Sequence, residues 1–185
     1  MPVRGAALIL AVVVLLALYV LPLDPWVGPF PAHMIRHMAL VAVVPPLLVL
    51  GLPPFPAPPV LVAAVIEFAA VWGWHAPALH EAAYFRPAIF VLEQVSFLAV
   101  GVMIWASALR TAEPLAGAGG MLLTSMHMTL LGALLILSPK ALYAYCGPGQ
   151  QQIGGMIMLG IGTIVYLVAG LWLTARALTA EEAAS

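Results

Sequence analysis

PAIFVLEQVSFLAVGVMIWASALR, residues 87–110, is an apolar run in which Glu93 is the one ionisable side chain before the closing Arg110. Coiled as a helix rising about 1.5 Å per residue, it is long enough to cross a hydrocarbon core about 30 Å thick. Comparable runs flank it on both sides. Reading apolar stretches against breakers places spans at Gly5–Leu21, His33–Gly51, Pro59–His75, Pro87–Arg110, Gly117–Ser138 and Gln151–Arg176. The expectation is an all-α polytopic membrane helix bundle of about six transmembrane helices, forming one domain over residues 1–185.

The composition agrees. Of 185 residues, 64% are hydrophobic and only 7% charged, a balance suited to lipid rather than to a water-facing surface. The net charge is −1 and the basic residues stand singly, so no clustered basic face exists for nucleic acid. Cys146 is the sole cysteine, which excludes an internal disulfide and any multi-thiolate metal site within one chain. The first apolar run, behind Arg4, lacks a small-x-small cleavage signature and reads as an uncleaved helix.

Prolines punctuate the chain. Leu23–Ala32 and Gly51–Pro59 read as connections, and Pro77 as the point where the third helix gives way to loop. Pro45 and Pro46 fall inside the second span, where they are expected to kink it or end it early.

Arg4, Arg110 and Arg176 fall on one side, Arg86 and Lys140 on the other, and Arg36 opens the second span; on this balance both termini are placed in the cytoplasm. For either orientation, alternating spans bring His33, His37, His75, His80, Glu93, Gln94, Cys146, Gln150, Gln151, Met156 and Met158 towards one common side.

Two patterns carry chemistry. In His33-Met34-Ile35-Arg36-His37-Met38, two His-Met pairs four residues apart put both imidazoles on one helical face and both thioethers on an adjacent one. In Met126-His127-Met128 an ionisable ring lies near mid-membrane, where it is costly unless it faces protein or a ligand. Successive helical residues diverge by about 100°, so at most one of those methionines can share a centre with His127. The candidate metal ligands are therefore His33, His37 and His127, helped by Met34, Met38 or Met126, with His75 auxiliary. His33, His37 and His127 are expected to converge on one cavity. His80 reads as a solvated histidine beside the Trp72 and Trp74 interface belt, and Glu93 as either a structural carboxyl or a hydrogen-bond anchor for a histidine. Imidazole with thioether suits copper as Cu(I). No nucleophile with a base at credible spacing and no phosphate loop appears, so the chain is not expected to be an enzyme.

At these residues the chain resembles the CtaG-type cytochrome c oxidase assembly proteins, the caa3 assembly-factor family of bacterial inner membranes. The matching stretches are His33-Met34 through His37-Met38 with Pro45-Pro46-Leu47-Leu48, Trp74-His75-Ala76-Pro77-Ala78-Leu79, Glu93 with Ser96-Phe97, Met126-His127-Met128 with Leu131-Gly132-Ala133-Leu134, and Gln151-Gln152 through Gly154-Gly155-Met156-Ile157-Met158. The resemblance implies a multi-pass inner-membrane protein that assists metallation of a haem-copper oxidase, whose subunits and the lipid bilayer are its partners. Gln94 stands where the family commonly has histidine, and Gln150 where it has aspartate. Two readings compete with copper binding: a metal-free structural or accessory subunit of a respiratory complex, and a b-type haem electron-transfer protein. The i,i+4 spacing of His33 and His37 opposes the haem, because ligands on one helix face cannot occupy both faces of a porphyrin.

Overall fold

The structure, a computed structural model, describes residues 2–184, with side chains described over 3–179. Its helices are α1 (Pro2–Val20), α2 (Leu23–Val27), α3 (Pro29–Gly51), α4 (Val60–His75), α5 (Pro77–Phe85), α6 (Pro87–Arg110), α7 (Pro114–Leu137) and α8 (Pro148–Ala184). No strand occurs among the described residues. Helices α1, α3, α6, α7 and α8 are each long and apolar enough to cross a membrane. The pair α4 and α5, bent by 71°, reaches the same length and apolarity only when taken together, so the bundle has five or six candidate spans. Leu61, Val65, Val91, Leu122 and Ile164 point outward, the apolar exterior that lipid requires.

The connection expected over residues 23–32 is largely helical, since Pro29 occupies the first turn of α3, where a missing N–H costs no hydrogen bond. The third span continues past its proline in a similar way. Ala76 adopts the extended conformation that a following proline demands, and Pro77 then starts α5 rather than a loop. This bend folds α5 back over the end of the bundle. His80 becomes fully buried instead of solvated.

Pro45 and Pro46 neither break α3 nor end it. Lacking N–H groups, they cannot bond the carbonyls of Val41 and Ala42. The helix widens into a π-turn over Ala39–Val43, in which Val44 N–H reaches back to Ala39 O. The freed Val41 carbonyl accepts from Trp105 Nε1 of α6 at 3.0 Å and from Tyr166 Oη of α8 at 3.3 Å. Gly101 allows α6 to pass: a Cβ there would lie 2.8 Å from Leu40 O and 2.8 Å from Pro45 Cγ. Helices α7 and α8 also touch backbone to backbone, where a Cβ on Gly155 would stand 2.7 Å from Gly132 O.

Trp105→Phe combined with Tyr166→Phe is expected to leave the Val41 carbonyl buried and unbonded, at a cost of about 1–3 kcal/mol. The measurement is the thermal unfolding midpoint in detergent, which should fall further for the double variant than for either single one.

Candidate metal centre

Where the break between α4 and α5 meets the starts of α3 and α6, five buried polar side chains converge. His33, from the first turns of α3, is 3% exposed; His80 of α5 and Glu93 of α6 are fully buried. Glu93 Oε1 lies 3.3 Å from His33 Nε2 and 4.0 Å from His80 Nδ1. One ligand atom from each residue falls within 4.8 Å of the other two. None of these three atoms has a hydrogen-bond partner of good geometry. Behind His33 and His80 lie His37 and His75, with ring centroids 4.8 Å apart.

The surroundings hold this cluster in place. Glu93 Oε2 accepts from Gln94 Nε2 at 3.1 Å, and Gln94 Oε1 accepts from Tyr19 Oη of α1 at 3.0 Å. Trp74 Nε1 donates to Ser96 Oγ, and Ser96 Oγ donates to Glu93 O, both at 2.7 Å, which ties α4 to the same turn of α6. Tyr145 Oη meets His80 Nε2 at 2.8 Å, and the Tyr145 ring stacks on Tyr84 with centroids 3.7 Å apart. The loop carrying Tyr143 and Tyr145 is itself pinned: Ala144 N–H donates to Glu81, Leu142 N–H donates to Gln151, and Gln151 donates onward to Leu135 O. Burial pushes both tyrosine hydroxyls above the ordinary phenol range and raises the Cys146 thiol as well. These three groups therefore stay protonated and uncharged at physiological pH.

A cleft of about 250 Å³, lined by Tyr19, Asp24, His33, Arg36, Tyr84 and Phe90 among others, leads in from outside. Arg36 and Asp24 pair across it at 2.6 Å. The cluster thus has a charged mouth, with one imidazole at its inner end.

The residues expected as ligands separate into groups. His33, His37 and His75 lie in this cluster, joined by His80 and Glu93, which were not expected to ligate. Both were missed because the backbone bend that buries His80 is invisible in composition, and because a lone intramembrane carboxyl does not reveal its partners. Met34 and Met38 are buried on the neighbouring face of α3, against Gly154 and Gly162 of α8. Met126 is 59% exposed and faces outward.

His127 does not join His33 and His37. It makes none of the ring contacts that link the other four histidines, meeting Phe68 edge-on instead. Its Nε2 lies 2.6 Å from Glu67 Oε2, to which Thr124 Oγ1 also donates at 3.4 Å. The reason is depth: Glu67 of α4 is buried mid-span and takes the nearest donor, because an unpartnered carboxyl there is expensive.

The fold and this cluster define a class: a multi-pass helical membrane protein with a buried histidine–carboxylate centre near one face. The family model described as cytochrome c oxidase caa3 assembly factor matches residues 55–180, and the chain belongs to that family. No curated protein and no solved structure matches it. The matched segment contains His75, His80, Glu93 and His127, whereas His33 and His37 precede it.

His127→Ala should strand the Glu67 carboxyl and destabilise the protein by about 3–5 kcal/mol, while replacing the pair together by Glu67→Met and His127→Leu should recover most of that loss. Denaturation in mixed micelles distinguishes the two outcomes.

Proposed function

We propose that this chain is a copper-binding assembly factor that holds Cu(I) at His33, His80 and Glu93 and passes it to a haem-copper oxidase. The single observation carrying the reading is the convergence of three buried, unbonded donor atoms from three helices. Buried polar atoms are otherwise paired almost without exception, so a cluster of orphans is an arrangement waiting for a partner. The residues fit the ion. Two imidazoles supply borderline-soft nitrogen, and one carboxylate cancels the charge of a monovalent cation, whereas a divalent ion would leave a net positive charge in a poorly solvated site.

The division of labour among the chain's own groups follows from the geometry. Gln94 and Tyr19 orient the carboxylate, as outer hydrogen bonds commonly do for metal ligands. Tyr145 holds one nitrogen of His80, leaving the other towards Glu93. Asp24 and Arg36 set the charge at the mouth. With the N-terminus in the cytoplasm of a bacterial cell, Tyr19 at the far end of α1 and the cluster beside it face the non-cytoplasmic side of the inner membrane, which is the side from which the oxidase subunit would receive the ion.

The test is anaerobic reconstitution of the detergent-purified protein with Cu(I), followed by metal quantification. Stoichiometric copper is expected, with His33→Ala and Glu93→Gln each removing the bound ion and Gln94→Ala weakening affinity about 10-fold. Retention should fall on acidification, because protonated imidazoles cannot ligate. A protein that co-purifies with an oxidase yet takes up no copper under any of these conditions would overturn this reading in favour of a metal-free accessory subunit.

A further inference from the structure

Behind the outer cluster the histidines continue inward as a file. Ring centroids lie 4.5 Å apart for His33 and His80, 5.6 Å for His80 and His75, and 4.8 Å for His75 and His37. We infer that His37 and His75 form a second, inner metal-binding station, reached from the outer cluster by stepwise ligand exchange past His80. The inference rests on the reading of the outer cluster as a copper site.

Three observations carry it. His37 is fully buried, and neither of its ring nitrogens has a hydrogen-bond partner. Stacking on Phe97, with centroids 4.1 Å apart and planes 17° from parallel, accounts for the ring but not for two unmet nitrogens. His75 Nδ1 lies 2.7 Å from Val71 O, to which it must donate because a carbonyl can only accept. That bond fixes the tautomer: Nε2 carries the lone pair, in the form a metal needs, and it too is unpartnered. Finally, no carboxylate makes an ion pair or hydrogen bond with either ring among the described residues. Two neutral imidazoles without a counter-charge select against a divalent cation and suit a monovalent one, so the inner station takes Cu(I).

Passage between the stations needs no electron. The bonds from copper to Glu93, His33 and His80 break in turn as bonds to His75 Nε2 and a ring nitrogen of His37 form, and the oxidation state is unchanged. An ion that enters at the cleft is thereby moved away from the carboxylate that captured it. The neutral inner pair holds it less tightly and out of contact with water.

The experiment is an anaerobic Cu(I) titration of the purified full chain against a chromophoric Cu(I) chelator, with X-ray absorption on the loaded protein. The wild type should bind about two equivalents through low-coordinate nitrogen sites, since each station has its own imidazoles. His37→Phe keeps an aromatic ring against Phe97, and His75→Gln keeps a donor for Val71 O; each should halve the copper bound. His33→Ala with Glu93→Gln should remove the outer equivalent and leave the inner one. Thermal-shift profiles verify folding, and the two inner variants check each other. Saturation of the wild type at one equivalent, unchanged by either inner variant and lost with His33→Ala, overturns the inner station while leaving the outer site intact. Absence of any bound copper removes both.

Discussion

The Val41 carbonyl organises the bundle. Pro45 cannot donate to it, and inside a membrane no water replaces the lost bond. Two side chains from other helices, Trp105 and Tyr166, fill the gap, and their rings stack on each other with centroids 5.7 Å apart. One backbone oxygen therefore joins α3, α6 and α8. Gly101 provides the clearance that brings α6 close enough. With α3 held this way, its N-terminal turns project His33 and His37 towards α4, α5 and the start of α6.

Two intramembrane carboxyls meet different company. Glu67 Oε2 is met by His127 at 2.6 Å and by Thr124, which joins α4 to α7 through one imidazole, while Glu67 Oε1 and His127 Nδ1 have no hydrogen-bond partner. Glu93 spends one oxygen on Gln94 and leaves the other between two histidines at distances too long, or angles too poor, for hydrogen bonds. The Glu93 cluster gathers several imidazoles and the Glu67 pair only one, although a deep histidine flanked by methionines is the more conspicuous pattern in sequence.

Gln94 has a definite role. Its amide donates to Glu93 and accepts from Tyr19, which ties the carboxylate to α1. Gln150 lies with its amide against Gly28, whose φ of 95° marks the break between α2 and α3. It packs the edge of the site without reaching its centre.

Composition and periodicity determined the bundle, the number and order of spans, and the gathering of histidines on one side, because burial in lipid is read residue by residue from apolarity and span alternation is a matter of counting. That His33, His37 and His75 lie near one another was legible, because alternating spans bring their helix ends to one common side. Membership of the site was not legible for His80 and Glu93, or for the exclusion of Met126 and His127. Those depend on the 71° bend at Ala76, on the rotation of each helix about its axis and on which buried carboxyl meets which imidazole. The choice of partners depends on contacts between residues far apart in the chain, where local pattern carries no signal, as with Glu67 and His127 across 60 residues. Tertiary packing alone decided which buried carboxyl meets one imidazole and which sits among several.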